Sequence, residues 1–268
     1  MLHVAGHLSA LAAEDAVAIV GARRGTPYGL EVARALGRGV AAAGLSVVSG
    51  LALGVDSAAH IGALDHAAPP VAVLAGGADV PYPASRRALY GRIVEHGAVV
   101  SELPPGFTPF RWNFVARNRL IAGLAALTVV VEATERSGSL TTADFAEQLG
   151  RPVGAVPGPV TSRFSSGTNG MLAAGAMVVR DTRDVLDELV GPALPDAGAA
   201  TAAPAAQVLP LEPRLRRLLD RIEQGAGSLS ELSGDGGEVP RLLRDLTELE
   251  LRGLVRREFA GRYVRSAG

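Results

Sequence analysis

Val17-Ala-Ile-Val-Gly-Ala-Arg-Arg-Gly-Thr-Pro-Tyr-Gly29, with the amphipathic run that continues from it to Ala43, is the stretch whose reading decides the fold. Val17 to Val20 is a short apolar run bounded by Gly21, which reads as a strand buried on both faces. After it, Leu30, Val32, Ala33, Leu36 and Val40 recur at helical spacing. Between strand and helix lies a loop with glycines at 21, 25 and 29, a Thr26 hydroxyl placed to cap the helix and Pro27 at its start. Strand, glycine loop, helix is the opening of a βα unit.

The same alternation continues along the chain. Leu45-Ser-Val-Val48, Val71-Ala-Val-Leu74, Ala98-Val-Val100, Leu127-Thr-Val-Val-Val131, Val153-Gly-Ala-Val156 and Met177-Val-Val179 are further strand-like runs, and Leu140 to Leu149 is helix-periodic. Strands apolar on both faces and separated by helix-sized crossovers predict an α/β, doubly wound, mostly parallel sheet. The composition shifts after Leu189, where Gly191 to Ala206 is rich in Ala and Pro without an apolar period. A small domain is predicted beyond it. Pro213 to Glu223 reads as a helix, Ser228-Leu-Ser-Glu231 as a capping box, Val239 to Leu251 as an amphipathic helix, and Leu254 to Arg265 as a hairpin around Ala260-Gly261. That order is the winged-helix pattern. The expected division is a Rossmann-like domain over 1–190, a linker over 191–209 and a winged-helix domain over 210–268.

The 268-residue chain has no cysteine, which removes disulfides, thiolate metal sites and a cysteine nucleophile. Its apolar runs are too short to span a bilayer, so a cytoplasmic location without membrane contact is expected. Twenty-six basic residues face 27 acidic ones, a formal net charge of -1, so no global field points to a polyanion. All the basic residues are arginine, a usage that a G+C-rich genome also produces. Their clustering is more telling. Arg86, Arg87, Arg92, Arg111, Arg117 and Arg119 face only Glu95 and Glu102 between Pro81 and Leu120.

In open parallel sheets ligands bind beyond the carboxyl ends of the strands. Here those ends carry Gly21, Ser49-Gly50, Gly76-Gly77 and Pro157-Gly158, bare backbone that an extended ligand can approach. The first loop lacks both the G-x-G-x-x-G fingerprint and the phosphate-binding G-x-x-x-x-G-K-[ST], so no nucleotide cofactor is expected. It offers a helix start, Thr26, Arg23 and Arg24, the ingredients of an anion site. Phe110, Trp112 and Phe114 interleave with Arg111, Arg117 and Arg119, a pattern that suits a single strand with exposed bases, although Trp112 and Phe114 equally fit a core. Ser137-Gly-Ser139 opens another helix with hydroxyls and backbone N–H groups. Asp56, Asp79, Glu102 and Glu132 lie near strand ends without a nucleophile beside them. His3 and His7 are spaced to share a helix face, while His60, His66 and His96 are scattered and H-E-x-x-H is missing. No catalytic or metal-binding residue is predicted.

Taken in order, Val17-Ala-Ile-Val-Gly-Ala-Arg23 through Tyr28-Gly29, Ser49-Gly-Leu-Ala-Leu-Gly-Val-Asp56 with Ala59-His60, Tyr82-Pro83, Arg117-Asn-Arg-Leu-Ile-Ala-Gly123, Glu132-Ala133, Ser137-Gly-Ser-Leu-Thr-Thr-Ala143, Val156-Pro-Gly158 and Gly167-Thr-Asn169 resemble the DNA-processing protein A (DprA/Smf) family over about Leu2 to Leu189. The resemblance implies an extended Rossmann-like domain that binds single-stranded DNA without hydrolysing it. It also implies a homodimer that protects incoming strands and helps load the RecA recombinase during natural transformation. The family's arginine loop matches Gly21 and Arg23, and its R-N-R segment matches Arg117, Asn118 and Arg119. Ala22, Leu53 and Val115 depart from residues common in the family, and the N-terminal helical domain of many members is expected to be absent.

The combined expectation for DNA contact is Gly21, Arg23, Arg24, Thr26, Gly29, Ser49, Gly50, Arg86, Arg87, Arg117, Asn118, Arg119, Ser137, Gly138 and Ser139. The alternative is a Rossmann-like nucleotide-processing enzyme of the phosphoribohydrolase type, but Ser137 to Asp144 lacks most glycines of that family's P-G-G-x-G-T-x-x-E segment. In the small domain, Arg241 and Arg244 share the third helix with Asp245, Glu248 and Glu250. A protein-contact or dimer-support role is expected there rather than duplex reading.

Overall fold

The strand predicted at Val17 to Val20 is β2 (Ala16–Val20) of an eight-stranded sheet in a computed structural model of the protein. The structure describes residues 1–12, 15–66, 68–191, 212–224, 226, 228–233, 239–251, 254–257 and 262–265. It divides into two compact units, Met1–Ala202 and Ala203–Gly268.

In the first unit, β1 (His3–Gly6), β2, β3 (Ser46–Ser49), β4 (Val71–Val73), β5 (Ala98–Ser101), β6 (Leu127–Val130), β7 (Val153–Ala155) and β8 (Met177–Val178) lie in the order β1-β5-β4-β3-β2-β6-β7-β8. Every pair is parallel except β1 with β5, which run antiparallel from His3 opposite Ser101 to Gly6 opposite Ala98. The seven apolar runs all became strands, because each is flanked by a helix long enough for a crossover. β1 went unread. Its four residues carry no apolar run, and the expected helix face shared by His3 and His7 is corrected: His3 is in the strand, and the His7 ring lies 2.9 Å from the Glu95 carbonyl.

Side-chain alternation along β2 assigns the layers. Ala16, Ala18 and Val20 face a core built with α4 (Arg111–Leu124) and α5 (Leu140–Gln148). Val17 and Ile19 face the opposite core, built with α1 (Pro27–Ala42), α2 (Val55–Ala63) and α7 (Thr182–Val190). Leu89 and Ile93 of α3 (Arg87–His96) bury Leu51, Ala72, Leu74 and Val99 farther along, and α6 (Ser166–Ala173) precedes β8. Both faces of the sheet are thus covered, as strands apolar on both sides require.

The second unit has α8 (Pro213–Glu223), α9 (Leu229–Ser233) and α10 (Val239–Leu251), then β9 (Val255–Arg257) and β10 (Tyr263–Arg265) paired antiparallel. Leu215, Leu219, Leu246, Leu249 and Val255 are at its core. The capping box forms as read: Ser228 N–H donates to Glu231 and Glu231 N–H to the Ser228 hydroxyl. Residues 192–209 of the expected linker and Ala260-Gly261 of the expected hairpin turn lie outside the described residues.

Helices α1 and α2 pack closely because Gly37 presents no side chain. A Cβ there would stand 2.2 Å from the Ala59 carbonyl oxygen, a backbone atom that cannot swing aside. Gly37→Ala is therefore expected to force the helices apart, at a cost of about 1–3 kcal/mol. Thermal denaturation should report a melting temperature lower by at least ~2 °C, with little change in circular dichroism at low temperature.

Candidate nucleic-acid interface

Crossovers from β2 run through β3, β4 and β5 on one side, and the chain then returns to place β6, β7 and β8 on the other. The order reverses at β2, so the loops that follow β2 and β6 diverge there and leave a cleft. That cleft measures about 720 Å³. One wall is the loop Gly21 to Arg24, the opposite wall is α4, and the end is closed by Ser137, Gly138 and Ser139.

Arginine and aromatic rings meet on α4. The Arg23 guanidinium carbon is 5.0 Å from the centre of the Phe114 ring, which in turn lies 5.4 Å from the Tyr82 ring. The guanidinium is thus held over the Phe114 face by the ring quadrupole, while the two rings meet tilted at 52°. Arg24 and Arg111 are exposed along the same cleft, and Asp56, which is buried, is the acidic residue in its lining. Trp112 and Phe110, at 64% and 61% exposure, belong to the surface near the start of α4 rather than to a core.

A buried carboxylate ties the two strand-end loops together. Glu132 accepts the Thr26 N–H at 2.8 Å and the Thr26 hydroxyl at 2.6 Å. Thr26 caps α1 as its sequence predicts, its hydroxyl oxygen accepting the Gly29 N–H at 3.2 Å. The Tyr28 hydroxyl donates to the Pro157 carbonyl, and its pKa is raised by burial and by the nearby Glu132 charge.

Beneath the cleft sits a buried polar layer. Arg117 turns inward, 7% exposed, and one guanidinium nitrogen donates to the carbonyls of Gly50 and Val73. Gly50 leaves room for this arrangement, because a Cβ there would sit 2.6 Å from the guanidinium and displace it. Burial pushes Arg117 down to about 10, with the Asp56 charge opposing. Asp56 accepts the N–H groups of Gly50 and Ala52; burial raises its pKa, while Arg117 and those hydrogen bonds lower it. His60 is fully buried, and neither ring nitrogen makes a well-formed hydrogen bond; burial takes its pKa down to about 4.

The structure therefore brings Gly21, Arg23, Arg24, Arg117, Asn118, Ser137, Gly138 and Ser139 to one cleft. Asn118 does so as an anchor, its amide donating to the Gly138 carbonyl and the Thr141 hydroxyl. Other candidates lie elsewhere. Thr26 and Gly29 are engaged with Glu132, and the Ser49 hydroxyl donates to the Ile19 carbonyl inside the sheet. Gly50 lies under Arg117. Arg86 ends a short 3-10 helix and Arg87 starts α3, outside the cleft lining. Arg119 is directed away from Arg117 and pairs with Glu102 on the surface. Arg111 and Tyr82 were not among the candidates; the interleaving of aromatics and arginines before the R-N-R segment was a signal for Arg111, whereas Tyr82 is brought in only by the fold.

A doubly wound sheet with a switch-point cleft places the protein among Rossmann-like ligand-binding domains. More particularly, residues 1–190 match the DNA recombination-mediator protein A family, and the chain belongs to it. A Mycobacterium tuberculosis relative is 43% identical over 245 residues, covering 91% of this chain and 62% of its own length. Protein Smf of Escherichia coli is 36% identical over 270 residues, covering 98% of this chain and 71% of its own. DNA processing protein A from Streptococcus pneumoniae superposes with a TM-score of 0.67 at 39% identity, covering 70% of this chain and 65% of that one. The Helicobacter pylori protein, described for its single-stranded DNA binding mode, superposes with a TM-score of 0.65 at 31% identity over 70% of this chain and 86% of that one. Among the described residues no helix is long and apolar enough to cross a membrane.

His60 carries a sign-definite expectation. Its folded pKa, about 4, lies below the ordinary histidine value of 6.5, so the unfolded chain binds more protons between those limits. Its neutral ring is thus compatible with the fold above pH 6.5, and stability is lost as pH falls from 6.5 towards 4, by up to about 1.4 kcal/mol per pH unit. Urea denaturation across that range should show the loss in wild type and a flatter profile in His60→Leu.

Proposed function

We propose that the cleft binds single-stranded DNA, with Arg23, Arg24 and Arg111 against phosphates and the Phe114–Tyr82 pair against unstacked bases. The carrying observation is the Arg23–Phe114–Tyr82 stack facing a cleft whose lining acid is buried. Cations beside an aromatic platform suit a strand whose bases are free, because every base has a face to stack and every phosphate a charge to neutralise. Arg117 and Asn118 act from below and behind, holding α4 and the 137–141 turn in place. Membership of the recombination-mediator family supports the wider reading. The protein works without hydrolysing DNA, in the cytoplasm and as a homodimer, protecting incoming strands and helping to load the RecA recombinase during natural transformation. The division into a binding domain (1–190), a linker (191–209) and a winged-helix domain (210–268) belongs to the same proposal. Arg241 and Arg244 are exposed on α10, on the same face as Asp245 and Glu248, which pair with Arg214, and are offered for its contacts.

Fluorescence anisotropy of a labelled oligo-dT over a range of salt concentrations tests the cleft. Phe114→Ala is expected to weaken binding about 5- to 150-fold, the effect of losing about 1–3 kcal/mol of stacking. Replacing both Arg23 and Arg24 with alanine should flatten the slope of log affinity against log salt by about 1.4, or about 0.7 per phosphate contact. Unchanged affinity and slope in all these variants would place the strand elsewhere. Stimulation of RecA-driven strand exchange by wild type, lost in the double variant, is the expected outcome for the wider role.

A further inference from the structure

Doubly wound folds offer ligand phosphates the start of the helix that follows the first parallel strand, where free N–H groups and the helix dipole converge. In this protein that place is already filled from within. Glu132, 2% exposed, lies two residues beyond β6 and sets one carboxylate oxygen on the Thr26 N–H and the other on the Thr26 hydroxyl. The carboxylate rests against the first turn of α1 so closely that a Cβ on Gly29 would stand 2.2 Å from it. Gly25 lies beside it too, with a Cβ placed 3.4 Å from the same oxygen. The space that the glycines at 25 and 29 leave open is filled by the protein's own anion.

We propose that Glu132 is the specificity-determining residue of the cleft. Its carboxylate takes the phosphate seat at α1, so ligand phosphates are held on the side chains of the arginine wall and not on the backbone N–H groups at the start of α1. A strand running across the cleft meets that wall along its length. A terminal or free phosphate, which would need the seat at α1, is refused. This deepens the single-strand reading and rests on it for the identity of the ligand.

The test uses the full-length protein and inorganic phosphate as the probe. Melting temperatures are measured for wild type, Glu132→Ala and Glu132→Ala with Thr26→Ala in rising phosphate, with each compared to wild type so that the general salt effect cancels. Glu132→Ala vacates the seat and leaves the Thr26 donors in place. Its melting temperature is expected to rise by about 2–6 °C more than that of wild type once phosphate exceeds its dissociation constant about tenfold, and the gain should vanish when Thr26 is also replaced. Glu132→Ser, which keeps a hydroxyl to meet Thr26, serves as the milder truncation if the alanine variant does not fold. Absence of any extra shift in a folded truncation overturns the proposal, as does saturable phosphate binding by wild type that Thr26→Ala abolishes. Anisotropy of oligo-dT on wild type runs in parallel. Failure there removes the single-strand reading, while the phosphate series still judges Glu132 by itself.

Discussion

Two hydrogen bonds from Thr26 to the buried carboxylate of Glu132 join the loop that leaves β2 to the loop that leaves β6. These are the loops that the strand order drives apart at the carboxyl ends of two central strands, and the tie bridges them. Hydrogen bonds to a charged acceptor contribute about 1.5–3 kcal/mol each, and here they also cap a helix start. Several other features depend on this tie. Gly29 has no room for a side chain, α1 begins at Pro27, and Arg23 and Arg24 are left on the outer side of the loop, facing the cleft.

A second support comes from α4. Successive helical residues project about 100° apart, so in Arg117-Asn118-Arg119 each side chain takes a different direction. Arg117 enters the sheet and bonds carbonyls of Gly50 and Val73, Asn118 reaches the turn before α5, and Arg119 meets Glu102 on the surface. Burying a guanidinium is costly unless its donors are used and an opposite charge is near. The Gly50 and Val73 carbonyls take up one of its nitrogens and the Asp56 charge offsets part of the burial, while its buried Nε makes no well-formed hydrogen bond. A rigid α4 then presents Arg111 and Phe114 to the cleft from a fixed wall.

Much of this was legible in the sequence, for definite reasons. Runs such as Val17 to Val20 and Val129 to Val131 are apolar at every position, as a strand covered on both faces requires, and the βα alternation then gives the doubly wound sheet. Thr26 and Pro27 announced the start of α1. The antiparallel edge strand His3–Gly6 was hidden because polar and small residues at a sheet edge leave no period to read. Within the site, residue type identified the arginines but not their direction: Arg117 and Arg23 look alike in sequence, and only packing turns one inward. Glu132 was visible as a strand-end acid, yet its partner, 106 residues away, is set by the pairing of β2 with β6. Arg111 and Tyr82 gain their place from the same long-range closure.

The central claim is that the loops after β2 and β6, with α4 between them, form one binding surface. Hydrogen–deuterium exchange of the full chain with and without oligo-dT tests it most directly. The account predicts that the oligonucleotide slows exchange in 21–26, 111–118 and 134–139 together, leaving the β1 edge and the outer face of α3 unchanged. Protection confined to other segments, with those three stretches unaffected at saturating oligonucleotide, would contradict it.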